Sequence, residues 1–133
     1  MNGEKIIMLE NYIKLKMSPI LLEDITIELF KNAVILEADC DDSLLAGHYE
    51  DINFVPPEWY NELLSKNNSE HSLLLIPNIN KISLEEQLKF VELFKYKKIN
   101  TFKLPEQTII LATATNLKEN PIAEPIYSLM IHI

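Results

Sequence analysis

Side chains with metal-ligating or nucleophilic atoms crowd into one stretch of this 133-residue chain: Asp39, Cys40, Asp41 and Asp42 stand together, and His48 follows shortly after. Carboxylates at that density suit a hard divalent cation. The stretch lacks the glycine-turned twelve-residue spacing of a calcium loop and the paired Cys/His spacing of zinc, so an acidic loop with no metal is the expectation. His71 and His132 have no base or nucleophile near them in sequence, and Ser18, Ser43 and Ser83 stand outside any Gly-x-Ser-x-Gly elbow. Lys16 followed by Ser18 faintly echoes the Lys-Ser/Thr pair of a phosphate-binding loop. That loop needs several glycines so that backbone N–H groups reach the phosphates, and the chain has only Gly3 and Gly47. It has no arginine, which removes bidentate guanidinium recognition of phosphate or carboxylate. No cofactor is expected.

The composition is that of an ordinary globular domain, 47% apolar and 24% charged, with a net charge of −8. The charge is uneven: residues 1–62 carry 13 acids and 4 lysines, residues 63–133 carry 7 acids and 8 lysines. An acidic, arginine-free chain is a poor nucleic-acid or anionic-membrane binder. A basic protein surface is the better electrostatic match, and Asp39, Asp41, Asp42, Glu50 and Asp51 are the candidate partner surface. Cys40 is the only cysteine and is expected to be a buried free thiol. No apolar run approaches a membrane span, and the N-terminus lacks a signal-peptide layout, so a cytoplasmic protein is expected.

The elements that must position these residues alternate along the chain. Lys5–Leu9 and Tyr12–Leu15 fit one interrupted strand or a strand with a helical turn. Ser18 and Pro19 offer a helix start, and Leu21, Leu22, Ile25 and Leu29 recur at helical spacing, predicting a helix from about Pro19 to Lys31. Ala33–Ala38 reads as a short strand, residues 39–56 as a loop with Gly47 its one free position, and Pro56–Pro57 as the start of a helix with Trp59, Tyr60, Leu63 and Leu64 on one face. Residues 66–70 read as a polar turn. Ser72–Ile76 is an unalternated apolar strand closed by Pro77. Ser83 and Glu86 form a capping box for a helix over Leu84–Tyr96. Thr108–Ala114 is a further strand, and Ile126–Ile133 a last one. The alternation predicts one α/β domain over residues 1–133, a three-layer sandwich with a mostly parallel sheet.

Residues 72–116 resemble the central part of AAA+ ATPases, and among them the MoxR-like group. Leu73–Ile76 match that family's apolar strand, Ile79, Asn80 and Lys81 its Ile-Asn-Arg/Lys element, Gln87 and Leu88 its Gln- and Leu-rich helix, and Leu104–Pro105 the Leu-Pro before the strand Ile109–Ala114. Upstream, Asp41–Gly47 is similar to the family's Asp-Asp-Leu-x-Gly loop and Val55–Leu64 to its Pro-Pro-x-Trp helix start; downstream, Glu124–Ile133 takes the place of the finger-arginine segment and the final strand. The resemblance covers about 100 residues, Ala33 to Ile133, and rests on order and spacing. It implies a P-loop-NTPase-like fold without a P-loop.

The departures bear on function. A working member of the family carries two acids after the apolar strand, to hold Mg²⁺ and position water; here Pro77 and Asn78 occupy those positions. Leu129 or its neighbours stand where the finger arginine would, and the junction Leu15–Pro19, where the resemblance would put the phosphate loop, has no glycine. Asn116 matches the family's polar sensor, and the family's lid domain is missing from the sequence. The resemblance therefore implies a pseudo-ATPase that serves as a protein-interaction or assembly subunit, its partner an intact AAA+ ATPase or another copy of itself. Two alternatives are a small α/β enzyme or divalent-metal-binding domain using the acidic 39–51 loop at the strand ends, and a decayed remnant of a longer ATPase.

Overall fold

The computed structural model describes residues 3–25, 30, 32–66 and 72–133. Five strands form the central sheet: β1 (Ile20–Glu23), β2 (Val34–Ile35), β5 (Ser72–Ile76), β8 (Thr108–Ala114) and β9 (Ile131–His132), in the order β2-β5-β8-β1-β9. Every pairing is parallel. Side chains alternate between two apolar clusters, as the period of two requires. Leu21, Leu74, Ile76, Ile110, Ala112 and Ala114 join the cluster on one face; Ile20, Leu22, Leu75, Ile109 and Leu111 join that on the other. All seven residues of β8 are buried, which is why the segment reads as a continuous apolar run.

Helix α1 (Gly3–Lys14) covers the second face through Leu9, with Tyr12 and Ile13 beside it. The first face carries the rest: α2 (Asp42–Ala46), α3 (Glu58–Ser65), α4 (Leu84–Gln87), α5 (Val91–Tyr96) and α6 (Glu124–Tyr127). Two hairpins complete the fold, β3 (His48–Glu50) with β4 (Asn53–Val55) and β6 (Lys98–Ile99) with β7 (Phe102–Lys103). The α/β class and the parallel sheet between helical layers match the sequence expectation.

Several elements differ from it. Ile20–Glu23 is a strand, whereas the helix pattern over Pro19–Lys31 pointed the other way; residues 26–29 and 31 of that span lie outside the described residues. Three consecutive apolar side chains, Ile20, Leu21 and Leu22, are buried on alternating faces between β8 and β9, and a short apolar run is claimed by whichever partner buries all of it. Ser18 does not cap a helix; its Oγ accepts the N–H of Ile110 at 2.9 Å. The N-terminal segment is one helix, since Ile6, Leu9, Tyr12 and Ile13 turn inward at helical spacing. The 39–56 loop holds α2 and the first hairpin. Asp41 caps α2 by accepting from Leu44 N at 2.8 Å, and Gly47 ends it at φ 78, where a Cβ would meet the Val55 carbonyl oxygen at 2.5 Å.

Strand Ser72–Ile76 and the helix start after Pro57 stand where expected, while the polar turn's residues 67–70 lie outside the described residues. The 84–96 helix is divided by a 3₁₀ turn at Leu88–Phe90, whose tighter period sets Gln87 and Phe90 on one inward side. The expected strand Ile126–Ile133 is reduced to β9, because Pro125 in its first turn starts α6 instead.

Scarce glycine leaves a mark on the backbone. Lys16, φ 56, ends α1 in the left-handed region. There Lys16 N bonds Ile13 O at 3.0 Å and Met17 N bonds Tyr12 O at 2.9 Å, the two bonds of a Schellman cap, a position that favours glycine. Lys16→Gly is expected to stabilise the fold by about 0.5–1 kcal/mol, read as a rise of about 2–5 °C in Tm by calorimetry.

Candidate functional site

Parallel strands share one carboxyl edge, where open α/β sheets hold ligands, and the sequence-predicted positions fall there. β5, β8 and β1 are neighbours, so the residues following each are side by side. Pro77, after β5, is buried and carries no ligand atom. Asn78 is in the left-handed region at φ 53, ψ 48, and its backbone N–H donates to Thr113 Oγ1 of β8 at 2.9 Å. Asn116, beyond β8, is exposed at φ 54; its carbonyl accepts the Asn120 N–H at 2.9 Å and the Glu119 N–H at 3.1 Å. It acts locally as a turn residue.

The place that the resemblance gives to a phosphate loop moves as well. With β1 at Ile20–Glu23, that place comes after Glu23, and the ten positions from Asp24 to Ala33 contain no glycine. Lys16 and Ser18 lie at the amino end of β1, away from the carboxyl edge. The Leu15–Pro19 placement thus precedes the strand that the resemblance would put before the loop.

A cavity of about 240 Å³ opens beside Pro77 and Asn78, lined also by Glu37, Asp39 and Lys81. It is smaller than the roughly 300–1,000 Å³ of a pocket for a drug-sized ligand. The Mg²⁺ that a working AAA+ site would hold does not fit these residues. Pro77 offers no oxygen, and among the described residues no three His, Cys, Asp or Glu side chains converge on a common point.

Two buried amides hold the edge together, and sequence reasoning matches them only to family positions. Asn80, 3% exposed, donates from Nδ2 to Thr115 O at 2.5 Å and to Asn120 O at 2.8 Å. Its Oδ1 is buried with no partner among the described residues. Gln87, fully buried, donates from Nε2 to Ile82 O at 3.1 Å and Pro121 O at 3.3 Å, and its Oε1 accepts Ala123 N at 2.7 Å. Together they tie the segment after β5 to the segment after β8. Their sequence signal is slight: two amides in a stretch whose other inward residues are apolar.

The acidic candidates divide. Asp39, Asp41 and Asp42 flank the carboxyl end of β2 and the first turn of α2, while Glu50 and Asp51 lie at the turn of the first hairpin; all five are exposed. Glu50 faces His48 at 3.4 Å. His132 Nε2 lies 3.1 Å from Tyr127 O, and the two rings are tilted against each other with centroids 4.1 Å apart; His71 lies outside the described residues. Trp59 belongs to the core, 5% exposed, with Nε1 shared between Leu44 O and Leu45 O at 3.1 Å each. Leu129 is half-buried against the same core.

Burial pushes the Cys40 thiol above its ordinary value, with Asp39 and Asp41 adding to the rise and the Lys89 ammonium opposing it. The neutral thiol is favoured by folding, so its contribution to stability is whole at neutral pH and is lost as pH rises through the raised pKa. Folded protein should therefore react with iodoacetamide at pH 8 at least about tenfold more slowly than free cysteine; an equal rate would contradict the burial. Gln87→Leu removes the acceptor for Ala123 N and both Nε2 bonds, and should cost about 2–4 kcal/mol in urea unfolding.

No protein-family model matches this chain, and no curated protein matches it either.

Proposed function

We propose that this chain is an ATPase-like domain without nucleotide chemistry that works as a protein-association subunit. The observation that carries the reading is the juxtaposition at the carboxyl edge. The positions after β5, β8 and β1 are neighbours through the strand order, as a phosphoryl-transfer site would require. They hold Pro77, Asn78, Asn116 and a glycine-free segment. Phosphoryl transfer depends on positioning and charge neutralisation, and these residues supply neither a metal ligand nor a phosphate cradle. What remains is a rigid sheet edge held by Asn80 and Gln87, with exposed carboxylates around it. The partner is an intact AAA+ ATPase or a second copy, met through an acidic surface whose attraction weakens with salt.

A thermal melt with and without millimolar Mg²⁺-ATP or Mg²⁺-ADP tests the loss of nucleotide binding. A ligand at about 100 times its dissociation constant adds roughly 2.7 kcal/mol, a shift of several degrees for a domain of this size. No shift is expected; a rise of several degrees would overturn the reading.

A further inference from the structure

A second surface lies beside the free side of β2 and the segment that follows it. β2 ends the sheet, pairing with β5 on one side. Between it and helices α2 and α3 runs a groove of about 190 Å³ with Ile35, Leu36, Leu44 and Trp59 as its apolar lining. Three carboxylates, Glu37, Glu58 and Glu62, border it, and none forms an ion pair among the described residues. Glu58 and Glu62 stand four apart on α3, a like-charge pair that an incoming cation would relieve. Lys89, bonded to the Cys40 carbonyl at 2.6 Å, is the cation beside the lining. Ile35 and Leu44, 39% and 61% exposed, leave the groove's apolar side open to water.

The complementary shape is on the same chain. Leu15 projects from the end of α1 at 71% exposure, with exposed Lys14 and Lys16 on either side. The cap bonds of Lys16 and Met17, with Leu15 N to Asn11 O at 3.0 Å, hold this Lys-Leu-Lys knob in one conformation, so little ordering is needed on docking. The charge of Lys16 is also felt by Lys97, whose pKa burial and Lys16 both lower. α1 packs on the opposite sheet face from α2 and α3, so knob and groove belong to different sides of one molecule.

We infer that the chain associates with itself head to tail, Leu15 of one copy entering the Ile35–Leu36–Leu44–Trp59 groove of the next while Lys14 and Lys16 meet Glu37, Glu58 and Glu62. The groove's volume suits a single side chain better than a small-molecule ligand. Because the two halves lie on opposite sides of the molecule, two copies cannot satisfy both contacts at once, and the contact is heterologous and repeats beyond a dimer. The inference rests on the reading of the chain as an association subunit, and not on its likeness to an ATPase.

Sedimentation velocity across about 10 µM to 1 mM protein, at low and high salt, tests it. Wild type should form species larger than a dimer at low salt and dissociate at high salt. Lys14→Glu with Lys16→Glu, and separately Glu58→Lys with Glu62→Lys, should each weaken self-association by about tenfold or more. Mixing those two variants should restore assembly, because the unaltered knob of one fits the unaltered groove of the other and the two reversed halves again carry opposite charges. Leu15→Ser, which changes no charge, should also weaken association, and all substituted positions are exposed, so circular dichroism should match wild type. Wild type that stays monomeric, variants that assemble like wild type, or mixed variants that do not combine would each overturn the inference. Nucleotide-induced stabilisation in the melt would overturn the loss of ATP binding and leave this contact standing.

Discussion

The parallel direction of all five strands of the central sheet is the constraint on which the rest of the molecule depends. Each connection must leave the carboxyl edge and return to the amino edge, so segments entering strands collect at one end of the sheet and segments leaving them at the other. Lys16, Lys66, Lys97, Lys98 and Lys103 lie in segments leading into strands of that sheet, while Asp24, Glu37, Asp39, Asp41 and Asp42 come after its strands. β8 makes the arrangement possible. Seven consecutive buried residues between β5 and β1 fix the register on both sides, and helices must then cover both faces.

Scarcity of glycine shapes how the connections end. Among the described residues, Lys16, Asp24, Asp51, Asn78, Lys97, Asn100 and Asn116 take positive φ. Asn and Asp tolerate that region through local hydrogen bonds; lysine has no such device and must be held by neighbouring bonds. Lys97 ends α5 by donating its backbone N–H to Leu93 O at 2.9 Å, and its ammonium reaches Glu106 O at 2.9 Å. Turns built this way are held where they are bonded. Gly47 is the exception, because the Val55 carbonyl oxygen and the Phe54 ring of β4 crowd the place where its Cβ would stand.

What could be read from the chain was what local signals and burial agree on. Ser72–Ile76 and Thr108–Ala114 are apolar runs enclosed on both faces, and Ser83 accepts from Glu86 N as its capping position requires. Ile20–Glu23 escaped because its helix start signals are genuine by local rules, while the deciding partners, β8 and β9, lie roughly a hundred residues away in sequence. Sequence distance hides Gln87 as well, whose bond to Ala123 crosses 36 positions. The two hairpins escaped for a different reason. Their strands are two or three residues long, too short for alternation to register. At the candidate site the positions of Pro77, Asn78 and Asn116 came from the AAA+ resemblance, and the strand at Ile20–Glu23 shifts the place that resemblance gives to a phosphate loop.

A polar edge can outlast the chemistry it resembles, because different groups serve the two purposes. Catalysis of phosphoryl transfer needs acids and backbone N–H groups pointing outward into a site. Holding the edge needs amides pointing inward to backbone atoms. In this chain the outward set is absent at Pro77 and Asn78, while the inward set is engaged: Asn80 grips Thr115 and Asn120, and Gln87 grips Ile82, Pro121 and Ala123. Lacking the first set strands no backbone group, whereas losing the second would strand backbone N–H and carbonyl groups inside the protein. Asn80 Oδ1, the one orphaned side-chain atom among the described residues, shows how closely that inner network is filled. On the proposed reading, such a domain would keep the geometry of its edge without phosphoryl-transfer chemistry, and a well-bonded edge is what a packing partner would meet.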